Sequence, residues 1–192
     1  KMSEIAPEAG RRCVPFLDLK AINESYEPEL SDSMMRAMQS GRYLLGVENK
    51  AFEQEWSNYI GATNTVLCAN GLDALTLILR AYKILRGWHD GDEVIVPANT
   101  YIASILAIRE AGLKPVLVEP DIRDYNIHLK ECQKALTEKT RAIMVVHLYG
   151  RVCCDIDNIM TMAGENNLVV IEDAAQAHGA QWQGRRAGRL GD

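Results

Sequence analysis

A chain of 192 residues, 47% of them hydrophobic, can bury one full-sized core and no more. Its formal charge of −5 supplies no basic field of the kind that holds nucleic acid, so phosphate-bearing ligands have to be met by local devices such as helix N-termini. A membrane span is not expected either: the richest apolar stretch, residues 74–85, is broken by Arg80 and Lys83.

In chain order, residues 1–12 lack the apolar core of a secretory signal. A polar arm then leads to a short helix over residues 32–39, stopped at Ser40-Gly41-Arg42. A second helix is expected over 49–59, with Phe52, Trp56 and Tyr59 on one face and Gly61 as its end. From there strands and helices alternate. Strands are expected at 65–68, 93–96, 115–118, 142–147 and 168–172, and helices at 73–86, 102–111, 129–136 and 155–166.

Five continuous apolar strands joined by helices imply an α/β domain whose mostly parallel sheet is covered on both faces. In the 73–86 helix the polar residues Asp73, Thr76, Arg80 and Lys83 form one narrow stripe. Such a helix is expected to be buried on most sides, by the sheet and by a further element or partner. No closing helix follows Asp192, and the chain reads as cut rather than finished. The five cysteines, Cys13, Cys68, Cys132, Cys153 and Cys154, contain no Cys-x-x-Cys pair. They read as free thiols of a reducing cytoplasm, not as a disulfide or metal framework.

Ligands of open parallel sheets collect beyond the carboxyl ends of the strands, and three loops there are chemically distinctive. Asn70-Gly71-Leu72-Asp73 opens a helix, where free N–H groups and the helix dipole form an anion site; an ordinary helix cap accounts for the same residues. Pro97-Ala98-Asn99-Thr100-Tyr101 carries an aromatic that could stack on a flat ring, or simply pack at a helix start. Glu172-Asp173-Ala174-Ala175-Gln176-Ala177-His178 gathers two carboxylates, an amide and an imidazole at a strand end. Asp173 there needs a partner for its charge, whether a cationic ring nitrogen, a structural ion pair or a helix N-terminus. An anion site, a stacking surface and a carboxylate together are what a phosphorylated heteroaromatic cofactor requires. The Gly-x-Gly-x-x-Gly and P-loop patterns of dinucleotide and ATP sites are missing.

The chain resembles the DegT/DnrJ/EryC1/StrS sugar aminotransferases, of aspartate-aminotransferase fold type I. The resemblance rests on Val14-Pro15-Phe16-Leu17-Asp18-Leu19 and on residues 40–46, 69–75, 92–103, 118–121, 146–150 and 172–180. The pair Asn70-Gly71-Leu72-Asp73-Ala74-Leu75 and Pro97-Ala98-Asn99-Thr100-Tyr101-Ile102-Ala103 is most similar to members that aminate C3 of dTDP-linked 3-keto-6-deoxyhexoses. By that resemblance, residues 1–30 are an N-terminal arm and 31–192 the front of a large domain binding pyridoxal 5'-phosphate. The rest of that domain and a small C-terminal domain would lie outside the chain.

The backbone of Gly71 and Leu72 would then hold the cofactor phosphate, Tyr101 would stack on the pyridine ring, Asp173 would pair with its nitrogen and Gln176 with its phenolic oxygen. The resemblance also implies an amino-acid donor such as glutamate, a nucleotide-linked keto sugar as acceptor, and a homodimer with shared active sites. Tyr43, in the 40–46 segment, would reach toward the partner's substrate, unless that segment is an ordinary turn between helices.

Two departures matter. The lysine that such enzymes bond to the cofactor would fall roughly ten residues past Asp192, the length of about three helical turns. Lys130, Lys134 and Lys139 sit in the wrong segment to replace it, so no catalytic nucleophile is assigned within the chain. Leu72 stands where many members carry threonine or serine, which removes a hydroxyl from the phosphate site. The alternatives are a dehydratase of the same family, with histidine in place of lysine, and a truncated, non-catalytic homologue serving as a binding or oligomer partner.

Overall fold

The structure, a computed structural model, describes residues 14–192. The chain divides into two compact units between Lys50 and Ala51. The first carries α1 (Leu19–Glu24), α2 (Glu29–Ser40) and the opening turn of α3 (Val47–Ile60). Asp18 starts α1 by accepting the Ala21 N–H at 2.9 Å, a cap that the polar composition of this arm concealed. Helix α2 begins three residues earlier than expected and ends at Gly41.

The second unit is an α/β layer structure. Four parallel strands, β1 (Glu93–Pro97), β2 (Lys114–Val118), β3 (Thr140–Val146) and β4 (Val169–Asp173), lie in the order β2-β1-β3-β4. Helices α4 (Gly71–Arg86) and α5 (Ile102–Glu110) cover one face, α6 (Leu129–Ala135) and α7 (Ile156–Glu165) the other. Alternate strand residues feed the two cores. Val94, Val96, Met144, Val169 and Ile171 meet Leu75, Leu79 and Ile108 on the first face. Ile95, Ile143, Val145 and Val170 meet Cys132, Ile156 and Ile159 on the second. Each fully buried aliphatic side chain contributes about 1.5–3 kcal/mol, and both faces have to be filled because a parallel sheet has no wet side.

Polar contacts fix the amino ends of the strands. Asp92 accepts Arg141 Nε at 3.0 Å, and Glu93 accepts Lys114 Nζ at 2.9 Å and the Thr137 hydroxyl at 2.5 Å. Those bonds hold the Glu93 carboxyl below the ordinary carboxylate range despite its burial. Beyond β4 a short hairpin, β5 (Gln181–Trp182) with β6 (Arg185–Arg186), is pinned to α7 by Asp157, which accepts Trp182 Nε1 at 2.7 Å and pairs with Arg185. The aromatic face of α3 receives the same region: Trp56 stands edge-on to His178 at 5.5 Å, and the Arg186 guanidinium lies 3.7 Å above the Tyr59 ring.

One expectation fails and another is met only in part. Residues 65–68 form no strand, and Val66 is 83% exposed. A strand needs a ladder partner, and the Leu67 N–H finds a side chain instead, Glu53 Oε1 at 3.0 Å. The sheet therefore has four strands among the described residues, not five. Helix α4 is covered by this chain's own elements on one side only, which leaves the rest of its expected burial to a partner. Its polar stripe faces inward onto the end of α5, with Thr76 bonded to Glu110 at 3.4 Å, Arg80 to the Glu110 carbonyl at 3.0 Å and Lys83 to the Ala111 carbonyl at 2.9 Å. Leu77, Ile78, Ile84 and Leu85 face outward.

Candidate active site

The strand order reverses direction at β1 and β3, and a cavity of about 390 Å³ opens at the carboxyl ends of β1, β3 and β4. Its lining includes Gly71, Leu72, Tyr101, Asp173 and Gln176, the five residues that the sequence assigns to cofactor binding. Tyr43 belongs to the first compact unit, where its side chain is exposed.

One end of the cavity is the start of α4. The Asn70 side chain caps the helix by accepting the Asp73 N–H at 2.9 Å, and the Asn70 carbonyl accepts the Ala74 N–H at 3.0 Å. The N–H groups of Gly71 and Leu72 are left without a partner among the described residues, as the first donors of a helix are. A Cβ at Gly71 would meet nothing within 4 Å, so the approach to these donors is open. The Asp73 carboxylate is tied back to Asn70 Nδ2 at 3.0 Å.

Tyr101 begins α5 and is 72% exposed, its ring free to cover a flat ligand. The opposite wall is Val146, Leu148 and the end of β4. Asp173 Oδ2 accepts the Ser104 hydroxyl at 2.7 Å and Oδ1 accepts the Ala175 N–H at 3.2 Å; no salt bridge involves it among the described residues. Gln176 Oε1 accepts the Tyr149 N–H at 2.7 Å. Because that donor fixes the oxygen, the Gln176 amide nitrogen is the end left to donate. Tyr149 makes this contact with φ at +57°, in the left-handed region that costs a non-glycine residue about 1–3 kcal/mol.

The cluster expected at residues 172–178 does not converge. Successive strand residues point to opposite faces, so Asp173 turns to the α4/α5 side and Glu172 to the α6/α7 side. His178 packs edge-on against Trp56 instead of lining the cavity. Glu172 has its own buried site: it accepts His147 Nε2 and the Gly188 N–H at 2.8 Å each, Leu190 N–H at 2.5 Å and Gly191 N–H at 2.7 Å. Burial pushes the Glu172 carboxyl up, but these donors outweigh it and hold the group below its ordinary range. His147 is fully buried, and its Nδ1 accepts the Cys153 N–H at 3.2 Å, so Nε2 carries the proton toward Glu172. Sequence reasoning missed His147, Thr100 and Ser104; an isolated serine among the apolar residues of α5 carries no signal of its own.

Residues 25–192 match the DegT/DnrJ/EryC1/StrS aminotransferase family. The chain is 55% identical over 179 residues to the dTDP-3-amino-3,6-dideoxy-alpha-D-galactopyranose transaminase of Aneurinibacillus thermoaerophilus, covering 93% of this chain and 48% of that protein. Among solved structures, DesV of S. venezuelae superposes with a TM-score of 0.85 at 46% identity, over 91% of this chain and 46% of that one. The GDP-4-keto-6-deoxymannose-3-dehydratase solved with a trapped PLP-glutamate geminal diamine gives a TM-score of 0.78 at 26% identity, over 84% of this chain and 42% of that one. The chain thus spans about half the length of the curated relatives it matches. With the family matched over residues 25–192 and a solved relative superposing over 91% of the chain, the chain belongs to the DegT/DnrJ/EryC1/StrS aminotransferase family.

Proposed function

We propose that residues 31–192 are the front part of a pyridoxal-phosphate-binding domain, in an enzyme that moves an amino group from an amino acid, glutamate by preference, to a dTDP-linked keto-deoxysugar. Its product would be an amino sugar for surface polysaccharide or glycosylated metabolites. The observation that carries this reading is the convergence, in one cavity, of two free helix N–H groups, an exposed tyrosine, a carboxylate and an amide donor.

The residues present fit the cofactor. Gly71 and Leu72 offer N–H donors and the positive end of a helix dipole to its phosphate, without the hydroxyl that Leu72 lacks. Tyr101 covers the ring, Asp173 holds a proton at the ring nitrogen, and Gln176 donates from its amide nitrogen to the phenolic oxygen. When bound, the ring would supply an electron sink for the carbanion left as the α-proton of the donor departs. Tyr101, Asp173 and Gln176 would together hold the ring in a single orientation. The proton-shuttling base would be a lysine outside the residues given, and Tyr43 would reach toward the partner's sugar substrate.

The other expectations join this reading. A homodimer is supported by the outward apolar stripe Leu77, Ile78, Ile84 and Leu85 on α4, the helix that also presents the phosphate site. A cytoplasmic setting is supported by the free thiols Cys68, Cys132, Cys153 and Cys154; Cys13 and the start of the arm lie outside the described residues. No helix among the described residues is long and apolar enough to cross a membrane. The aminotransferase reading is preferred to the dehydratase because identity is 55% to the transaminase and 26% to the dehydratase.

The test is transfer of label from 15N-glutamate to dTDP-linked keto-deoxyhexoses by protein expressed from the native gene. Asp173→Asn should abolish turnover and weaken pyridoxal phosphate binding about tenfold or more, as expected for loss of a charge-assisted hydrogen bond. Native protein that binds pyridoxal phosphate yet labels no keto sugar, or that removes a sugar hydroxyl instead, refutes the aminotransferase reading.

A further inference from the structure

We infer that Thr100 and Ser104 form a directional hydroxyl relay that holds the Asp173 carboxylate in its working orientation, which makes Ser104 a positioning residue. The inference rests on the proposed cofactor role of Asp173.

Ser104 Oγ lies 2.7 Å from Asp173 Oδ2 and 2.8 Å from Thr100 Oγ1. A serine hydroxyl has one proton, and a carboxylate oxygen only accepts, so that proton is committed to Asp173. The contact with Thr100 must then use the Thr100 proton. Both hydroxyls point the same way, toward the charge, and each polarises the next.

Three observations argue against a merely structural role. Ser104 is fully buried beside Ala107 and Ile108, where alanine would pack as well, so the hydroxyl is not there to fill space. Serine within a helix ordinarily turns back to the carbonyl four residues earlier, whereas this one reaches a strand 69 residues along the chain. Asp173 ends its strand at a free loop, with only the 3.2 Å Ala175 N–H on its other oxygen. Without Ser104 nothing else among the described side chains fixes its rotamer. With Oδ2 held from the α5 side, the cost of ordering this cavity-lining carboxylate is met before any ligand arrives.

The experiment uses protein expressed from the native gene and the variants Ser104→Ala, Thr100→Val, Thr100→Ser and the Ser104→Ala/Thr100→Val double. The Asp173 carboxyl-carbon NMR resonance is read without cofactor, and pyridoxal phosphate affinity is read from cofactor absorbance. Ser104→Ala should move the resonance and weaken binding about two- to tenfold. Thr100→Val should do the same to a smaller extent, and Thr100→Ser should restore native values. In the double variant the Thr100 effect should vanish, because a relay is broken once. If Ser104→Ala fails to fold, the Thr100→Val and Thr100→Ser pair decides alone. An unmoved resonance in Ser104→Ala or Thr100→Val, or additive effects in the double, overturns the relay. Native protein that takes up no pyridoxal phosphate instead overturns the cofactor reading, and with it the positioning role, even where the resonance moves.

Discussion

Replacing Glu172 with glutamine tests whether the buried carboxylate beside β4 is the clamp that its contacts describe. The carboxylate accepts four donors, from His147 Nε2 and from the N–H groups of Gly188, Leu190 and Gly191. A glutamine oxygen can still serve Leu190 and Gly191, but its amide group then faces the other two donors. Gly188 is exposed and can turn to water at little cost. His147 is fully buried and cannot, and moving its proton to Nδ1 would sacrifice the Cys153 contact. One stranded buried donor and one lost charge-assisted bond give a destabilisation of about 2–4 kcal/mol. Urea unfolding of protein from the native gene measures it, with amide exchange at Gly188, Leu190 and Gly191 as the local readout. The pH dependence has a defined sign. The folded-state carboxyl lies below its ordinary value, so its stabilisation is complete above the unfolded-state value and is lost as pH falls through the folded one. Native protein should therefore lose more stability on acidification than Glu172→Gln. A change under about 0.5 kcal/mol with unaltered exchange, the range of an ordinary surface substitution, would refute the clamp.

Two further outcomes are expected. Ile84 and Leu85 are 83% and 77% exposed, so Ile84→Glu/Leu85→Glu should leave monomer stability within about 0.5 kcal/mol while shifting sedimentation toward monomer; an unchanged oligomer removes α4 from the interface. Burial pushes the Cys132 and Cys153 thiols up to about 12, so among the described cysteines alkylation at pH 8, mapped by mass spectrometry, should modify Cys68 first, Cys154 more slowly, and these two only after denaturation. Early modification of Cys132 or Cys153 would contradict the packing of the α6/α7 core.

Much of this architecture was legible because buried parallel strands announce themselves as unbroken apolar runs: β1, β2, β3 and β4 all fall within two residues of their expected places. The same signal misled at residues 65–68. An apolar run states that a segment seeks burial, not that a neighbouring strand is there to receive its hydrogen bonds. On α4 the polar stripe was visible but its direction was not. Thr76, Arg80 and Lys83 find carbonyl and carboxylate acceptors at the end of α5, and such partners are invisible to periodicity. The cavity residues were found through the loops that carry them, since Asn70-Gly71 and Asp173 stand at strand and helix ends where ligands gather. Ser104 was missed because its importance lies in a partner far along the chain.

The adjacency of two acids at the end of β4 constrains how this protein can change. A single-residue insertion or deletion within β4 would exchange the faces of Glu172 and Asp173, presenting a longer acid to the cavity and a shorter one to His147. Both sites would fail together, while an alteration of two residues would preserve the assignment of faces. An even step would nevertheless carry each acid about 6–7 Å along the sheet, away from Ser104 and His147, so the spacing between the core and this strand's end is as much a requirement for chemistry as the identity of either acid.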